Sequence, residues 1–297
     1  MTVSGVKPFR FGVNMVIPES RAAWVEKCRK ADELGYDVIG AADHLGMAPP
    51  FPALVLAAEV TERARLNTFV LNAAFYNPAL LAREVTGTDQ FTEGRLELGI
   101  GAGYVKAEFD AAGLPWLGAG KRVDHLEHTV RELKRLYADP DHKPAPVQRP
   151  GPPFLIAGRG DRLLTLAAEH ADIIGFTGTR KVPDGAKLAP AGLAEITERV
   201  EFVRGKLAGR DVEFNLLPHF ARVTDDRKAE LENLHRLVER QLTVEQLAEV
   251  PTALVGTHAQ IAEQLVGTRE RLGISYFTVL EANLEAMAPV LELLRGR

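Results

Sequence analysis

The sequence predicts an α/β protein, specifically a (β/α)8 barrel, formed by a single domain over residues 1–297. Strand-like and helix-like segments alternate along the chain, and no linker divides it. The strand-like segments are continuous apolar runs, which is typical of parallel strands buried on both faces. Eight such segments favour a closed barrel over an open six-stranded sheet.

The predicted strands follow from these apolar runs. They cover residues 9–16, 36–41, 66–74, 95–101, 154–157, 172–176, 212–220 and 276–280. Segments with helical periodicity or helix-start signals lie between them, at 52–64, 77–91, 123–137, 162–170, 194–207, 227–249 and 284–294. The stretch 181–190, with its Pro and Gly residues, is predicted to be a polar loop.

Three helix starts carry recognisable capping residues. Ser20 precedes a helix whose apolar stripe is Trp24, Cys28, Ala31 and Leu34. Asn77 is followed by Pro78, a cap followed by proline at the first helical position. Thr257 and Gln260 have the spacing of a capping box.

Composition excludes several classes of protein. The net charge is −4, and basic and acidic residues are interspersed along the chain. The sequence therefore has no basic stripe or tail that would indicate nucleic acid binding. The single cysteine, Cys28, excludes a disulfide framework and fits a reducing compartment. No apolar run reaches about 18 residues, and the amino-terminal stretch lacks an apolar signal core. We therefore expect a cytoplasmic protein that does not span a membrane.

The run 94–104 contains a strand that ends in a small-residue loop with glycines at 99, 101 and 103. A dinucleotide-binding fold also begins with a strand and a glycine loop. That motif requires its third glycine at position 104, where this chain has Tyr104. The run therefore favours the mouth of a barrel, with a tight turn that binds no ligand as the alternative.

Active sites of such barrels lie at the carboxyl ends of the strands. This rule selects Asn14, Asp43, His44, Asn72, Gly101 to Tyr104, Gly158, Arg159, Gly160, Phe176, Thr177, Gly178, His219 and Glu281. His44 is a candidate proton carrier because histidine titrates near physiological pH, although Asp43 can equally be a helix cap beside an incidental histidine. His219 and Glu281 are candidates by position alone.

Two loops after neighbouring strands have the composition of an anion site. Gly158, Arg159 and Gly160 precede a helix start, where free backbone N–H groups suit a phosphate. Thr177, Gly178, Arg180 and Lys181 follow the next strand, and Lys187 adds charge. Either loop alone can be an ordinary turn with surface charges. His125 and His128 are predicted to lie on a helix surface, and no metal site is predicted.

Several motifs in order along the chain resemble the bacterial-luciferase-like oxidoreductases, TIM barrels that bind FMN or the deazaflavin coenzyme F420. The matching stretches are 42–45, 77–84, 91–104 with Glu108, 156–160 and 167–172. The resemblance implies that Asp43 and His44 lie beside the cofactor ring. It implies that the stretch from Thr68 to Asn72 forms a bulge, often with a non-prolyl cis peptide, which supports the ring.

The resemblance also implies ligands for the rest of the cofactor. Gly101, Ala102 and Gly103 would pass beside the ring and side chain. The loops after strands five and six would hold the phosphate, at Gly158, Arg159 and Gly160 and at Thr177, Gly178 and Arg180. The preceding residues of these loops, Ala157 and Phe176, are also expected to bind the cofactor. Two positions depart from the glucose-6-phosphate dehydrogenases of the family, which have Glu at the place of Tyr104 and Trp at the place of Ala48. A sugar-phosphate substrate is therefore disfavoured, while Tyr104 can still donate a hydrogen bond.

The resemblance leads us to expect a coenzyme F420-dependent oxidoreductase that transfers a hydride between deazaflavin C5 and a small organic substrate. The length lacks the long insertion of luciferase-type monooxygenases, and the Ala- and Arg-rich composition is typical of actinobacteria that make this coenzyme. His44 is expected to be the proton donor or acceptor, with Asp43 and Tyr104 assisting. The alternatives are an FMN-dependent monooxygenase and a non-catalytic flavin-binding barrel. A homodimer is expected from the resemblance alone.

Overall fold

The computed structural model describes residues 7–17, 20–181 and 188–297. Its strands are β1 Arg10–Met15, β2 Val38–Ala41, β3 Arg65–Thr68, β4 Leu71–Asn72, β5 Leu96–Gly101, β6 Phe154–Gly158, β7 Ile173–Phe176, β8 Thr179–Lys181, β9 Leu188–Pro190, β10 Glu213–Leu216, β11 Phe220–Val223, β12 Ala253–Gly256 and β13 Ile274–Leu280. Its α-helices are α1 Arg21–Glu33, α2 Pro50–Glu59, α3 Pro78–Phe91, α4 Lys106–Ala111, α5 Ala119–Ala138, α6 Asp161–His170, α7 Leu193–Arg204, α8 Arg227–Leu237, α9 Val244–Glu249, α10 His258–Leu272 and α11 Ala288–Leu294.

The predicted barrel is confirmed. Parallel strands pair in the order β3, β2, β1, β13, β10, β7, β6, β5 and β4, and a further pairing of β3 with β5 closes the ring. We call the eight strand positions around the barrel its staves, and β3 and β4 together form the third. β13 pairs with β1 from Arg10 opposite Tyr276 to Asn14 opposite Leu280, which joins the end of the chain to its beginning. The carboxyl ends of all eight staves therefore meet at one mouth.

The predicted caps are confirmed as well. Asn77 accepts hydrogen bonds from the backbone N–H groups of Ala79 and Leu80, and Ser20 accepts one from Ala23. Thr257 and Gln260 form a reciprocal capping box at the start of α10. These local signals fix where helices begin, because each supplies an acceptor for N–H groups that the first helical turn leaves unpaired.

The seventh predicted strand is wrong in its extent. Residues 212–220 were predicted as one strand, but β10 ends at Leu216 and a separate strand, β11, begins at Phe220. Pro218 lies between them and has no N–H to donate to a sheet. β11 instead pairs in parallel with β12, a strand that sequence reasoning missed, in a small sheet outside the barrel.

Smaller differences concern loops and helix boundaries. The stretch 181–190 is bordered by an antiparallel pair, β8 and β9, and residues 182–187 lie outside the described part of the chain. The helical segments predicted over 227–249 are α8 and α9, separated by a turn in which Glu239 and Arg240 have positive φ angles of 53° and 58°. The short helix α4 was not predicted.

The two ends of the barrel interior differ in chemistry. At the amino end, Arg10 pairs with Glu97 and, at 2.8 Å, with Glu213. Arg65 Nε lies 2.5 Å from the Glu97 carboxylate. These charged groups begin or nearly begin their strands, so the cluster lies opposite the mouth, the end of a barrel that serves stability. No described helix is long and apolar enough to cross a membrane.

The third stave is interrupted where it approaches β5. Residues Phe69 and Val70 separate β3 from β4 and are joined by a cis peptide bond, which locates the predicted bulge. A Cβ atom added at Gly99 would lie 1.8 Å from the carbonyl oxygen of Thr68. The Thr68 hydroxyl donates to the carbonyl oxygen of Gly99 at 2.7 Å. The glycine at position 99 is therefore required by this backbone contact.

Replacing Gly99 with Ala should lower the free energy of unfolding by at least about 2 kcal/mol, because the backbone of β3 must move to admit the methyl group. Urea denaturation of G99A and wild type measures the difference. Gly267→Ala is the matched control, since it lies within α10 with nothing within 4 Å of an added Cβ atom. A G99A loss no larger than that of G267A would contradict the contact.

Candidate functional site

His44 lies at the barrel mouth between an acidic and an aromatic side chain. Its Nδ1 atom lies 2.7 Å from Glu108 Oε1, and the two side chains are 29% and 15% exposed. The ring of Tyr104 meets the imidazole edge-on, with centroids 5.8 Å apart. His44 lies on the loop after β2, and Tyr104 and Glu108 lie on the loop and the helix after β5. The structure thus brings together two of the predicted catalytic residues, His44 and Tyr104, with a third group, Glu108.

Asp43 faces the backbone rather than the imidazole of His44. Its Oδ2 atom accepts a hydrogen bond from the backbone N–H of Asn72 at 3.0 Å, and its carboxylate also bonds to the Tyr76 hydroxyl. Burial raises the pKa of Asp43, against the opposing effect of these two hydrogen bonds. The geometry supports an anchoring role, in which Asp43 fixes the end of the third stave against β2.

Asn72 connects this anchor to the glycine loop. Its side chain accepts from the backbone N–H of Ala74 at 3.2 Å, and a Cβ atom added at Gly103 would lie 2.3 Å from the same oxygen. Gly103 has φ +72°, a conformation that suits glycine. The glycines at 99 and 103 are therefore explained by contacts within the protein, and an added Cβ at Gly101 would likewise lie 3.2 Å from Val70.

The bulge of the third stave and the end of β6 form a half-buried apolar surface. Phe69, Val70 and Ala157 are partly exposed and pack on a small interior cluster of buried side chains, namely Val38, Leu155, Ile173 and Tyr276. Gly175 leaves room for this packing, since an added Cβ would lie 2.8 Å from that of Ala157. Such a surface, bordered by the His44 group, has the chemistry to support a flat aromatic ring.

The start of α6 has the donor groups of an anion-binding corner. Gly160 is the N-cap of this helix and provides no side-chain cap, so the first N–H groups are left for a ligand. An added Cβ at Gly160 would meet nothing within 4 Å. Among the described residues, the half-buried Arg159 guanidinium has no acidic partner, and burial lowers its pKa. The donor set fits a phosphate group.

The loop after β7 contributes less directly. Thr177 bonds to the hydroxyl of Thr179 at 3.0 Å, and its carbonyl oxygen lies 2.9 Å from His219 Nε2. Burial lowers the pKa of His219, so it is suited to hold Thr177 in place as a neutral ring.

The other predicted residues of this loop are Gly178, Arg180 and Lys187. Gly178 has φ +61°. Arg180 lies 4.0 Å from Glu195. Lys187 lies outside the described residues.

Other candidates have roles within the fold. Glu281 is buried, accepts a hydrogen bond from the backbone N–H of Val16 at 2.8 Å and pairs with Lys27. Burial raises the pKa of Cys28 to about 12, so its thiol is not a nucleophile. His125 lies 3.1 Å from the carbonyl oxygen of Ala73. No group of three or more potential metal ligands occurs among the described residues.

Sequence reasoning gave no role to Glu108 or Tyr76, the partners of His44 and Asp43. Both pairs are tertiary contacts between residues far apart in sequence. Glu108 was noted only as part of a motif, and no pattern in the sequence shows that its carboxylate lies against His44.

Comparisons with known proteins show the family of this chain. A family model described as luciferase-like monooxygenase matches residues 1–276. The oxygenase component of the flavin-dependent trigonelline monooxygenase of Acinetobacter baylyi is 31% identical over 46% of this chain and 42% of its own length. The F420-dependent glucose-6-phosphate dehydrogenase of Intrasporangium calvum is 34% identical over 39% of this chain and 38% of its own. The chain thus spans less than half the length of these curated relatives.

Among solved structures, the coenzyme F420-dependent tetrahydromethanopterin reductase of Methanopyrus kandleri superposes with a TM-score of 0.75. The superposition covers 97% of this chain and 100% of that one at 16% sequence identity. This likeness shows the shared fold.

The raised pKa of Asp43 predicts a pH-dependent effect on stability. An Asp whose pKa is raised by folding stabilises most below its unfolded pKa, about 3.9, and this contribution is lost as pH rises through the folded pKa. The free energy of unfolding of wild type minus that of Asp43→Asn should therefore fall from pH 3 to pH 7. Asp37 and Glu213, whose pKa values burial also raises, are common to both proteins. A difference that rises with pH would contradict the assignment.

Proposed function

Because the chain belongs to the luciferase-like monooxygenase family, whose model matches residues 1–276, we propose that it is a coenzyme F420-dependent oxidoreductase. It would transfer a hydride between the deazaflavin and a small organic substrate. One observation carries the proposal: the strand ends at the mouth supply a half-buried apolar surface (Phe69, Val70 and Ala157), a histidine–carboxylate pair (His44 with Glu108) and a helix start with Arg159 beside it. We further expect a cytoplasmic homodimer.

The residues present fit a deazaflavin. The apolar surface would support the ring, and the N–H groups of α6, Arg159 and the loop from Phe176 to Arg180 would hold the phosphate-bearing side chain. When bound, the deazaflavin supplies a two-electron hydride carrier that reacts poorly with oxygen. The protein's part is to position the substrate and to manage its proton.

His44 is the group suited to move that proton. It is partly exposed at the mouth, and an imidazole ring can both accept and donate a proton. Asp43 would act indirectly, by fixing Asn72 and with it the bulge under the ring. Tyr104 is 67% exposed, so its hydroxyl is available to donate a hydrogen bond to the substrate.

A second candidate is an FMN-dependent monooxygenase. It is favoured by the similarity to the trigonelline monooxygenase component. It is also favoured by Tyr104, because the F420-dependent glucose-6-phosphate dehydrogenases of the family have Glu at this position. FMN has an aromatic ring and a phosphate, so the same surface and corner would hold it. Cofactor binding therefore has to be measured with both.

Fluorescence titration of the purified protein with F420 and with FMN tests the proposal. We expect tighter binding of F420, and Arg159→Ala should weaken it about tenfold, or about 1.4 kcal/mol, through loss of a charge-assisted contact. Arg162→Ala is the matched control, because Arg162 lies three residues further along, in the first turn of α6, and its guanidinium pairs with Asp124. Tighter binding of FMN would favour the monooxygenase, and equal effects of R159A and R162A would remove Arg159 from the site.

Substitution of His44 by Ala should slow turnover by about a hundredfold or more while changing the cofactor Kd little, since general acid–base catalysis contributes on that scale. Steady-state rates with a panel of small alcohols, aldehydes and activated alkenes, together with the titration, separate the two effects. Comparable losses in turnover and in cofactor affinity would show that His44 is a binding residue. A protein that binds F420 yet oxidises or reduces no substrate would be the non-catalytic barrel.

A further inference from the structure

We propose that Glu108 is a positioning residue that fixes the proton of His44 on Nδ1 and leaves Nε2 as the nitrogen that exchanges a proton with the substrate. The catalytic consequence rests on the proposed function above. The placement of the proton does not, because it follows from contacts within this chain.

The tautomer follows from the contact together with the acceptor chemistry of a carboxylate. An ionised carboxylate has only acceptor atoms, so the 2.7 Å contact between Glu108 Oε1 and His44 Nδ1 requires hydrogen on Nδ1. A neutral imidazole with hydrogen on Nδ1 carries its lone pair on Nε2. In the part of the chain that the structure describes, Nε2 has no hydrogen-bond partner. The arrangement matches the logic by which a buried carboxylate holds a catalytic histidine in one tautomer.

Glu108 is itself held in place. Its neighbour Phe109 is 1% exposed and packs against Trp116 with ring centroids 4.9 Å apart. The guanidinium of Arg122 lies 3.9 Å from the Trp116 ring centroid, and its Nε donates to the carbonyl oxygen of Gly103 at 3.3 Å. The short helix α4 is thereby tied to the glycine loop, which fixes the backbone position from which the Glu108 side chain contacts His44.

Other groups near His44 do not duplicate this role. Asp43 is adjacent in sequence, but its carboxylate bonds to the Asn72 N–H and to Tyr76. Tyr104 meets the imidazole edge-on through its ring. Glu108 is therefore the carboxylate that bonds to the imidazole, and no cation is paired with it among the described residues.

The proposed proton step is simple. An O–H or N–H bond of the substrate breaks, its electron pair stays on the substrate heteroatom, and an Nε2–H bond forms on His44. Glu108 stabilises the resulting imidazolium through the Nδ1–H contact. In the opposite direction the same Nε2–H group returns the proton. Glu108 touches neither substrate nor cofactor in this scheme.

The test uses the full chain without added cofactor, labelled with ¹⁵N-histidine. Long-range ¹H–¹⁵N spectra of the imidazole rings report which nitrogen carries the proton, and the His44 signals are assigned by their loss in His44→Ala. We expect the Nδ1–H tautomer for neutral His44 in wild type and in Asp110→Asn. Asp110 is the matched control, since it lies on α4 and its carboxylate pairs with Lys106.

In Glu108→Ala, His44 should move towards the Nε2–H tautomer that an unconstrained imidazole prefers in water. If E108A does not fold, Glu108→Gln removes the charge with little change of shape and should give a mixture of tautomers. An Nε2–H tautomer in wild type overturns the proposal, and so does an unchanged Nδ1–H tautomer in the folded Glu108 variant.

Kinetics then separates this proposal from the function. E108A should lower kcat about a hundredfold with little change in cofactor Kd, whereas D110N should leave both unchanged. If F420 does not bind but the tautomers behave as expected, the proposed function fails and the role of Glu108 in positioning the proton stands. If F420 binds and the tautomer is wrong, the role of Glu108 fails alone.

Discussion

The hydrogen bond from the Asn72 backbone N–H to the Asp43 carboxylate is the constraint on which the mouth of the barrel depends. It ties the end of the third stave to the end of β2 at the point where the bulge of Phe69 and Val70 interrupts regular pairing. A bulge of this kind re-aims side chains and ends pairing, and here its two residues pack on the interior cluster while staying partly exposed. The Asp43 carboxylate is buried to make this contact, which explains its raised pKa.

The glycine loop follows from the same constraint. With Asn72 fixed, its amide oxygen occupies the space that a side chain at position 103 would need, and Thr68 does the same at position 99. The loop then runs close to the bulge and brings Tyr104 and α4 over His44. The bulge, the glycine loop and His44 are therefore parts of one packed unit.

The sequence predicted the fold well because barrel architecture is expressed locally. Apolar runs mark buried strands, and Asn77 and Thr257 mark helix starts through hydrogen bonds within three residues. Errors arose where tertiary context decides the outcome. Pro218 ends β10, yet the partner that then captures β11 lies some thirty residues away at β12 and has no local signal.

The positions of the candidate site residues could be predicted from the sequence, but their contact partners could not. Strand ends and the family resemblance identified His44, Asp43, the glycine loop and the loops after β6 and β7. Their partners could not be read from the sequence, because the contacts of His44 with Glu108 and of Asp43 with Tyr76 depend on how loops fold over the mouth. Asp43, which the resemblance predicts to lie beside the cofactor ring, accepts a hydrogen bond from the backbone N–H of Asn72, and no pattern in the sequence indicates that contact.

The claim that Asp43, Asn72 and Gly103 form one packed unit is tested most directly by a double-mutant cycle between Asp43→Ala and Gly103→Ala, read as free energy of unfolding. These two residues are linked through Asn72, so releasing Asn72 by D43A should make room for the methyl group at 103. The account predicts that G103A costs less in the D43A background, with a coupling above about 0.5 kcal/mol. Additive effects within about 0.3 kcal/mol would contradict it.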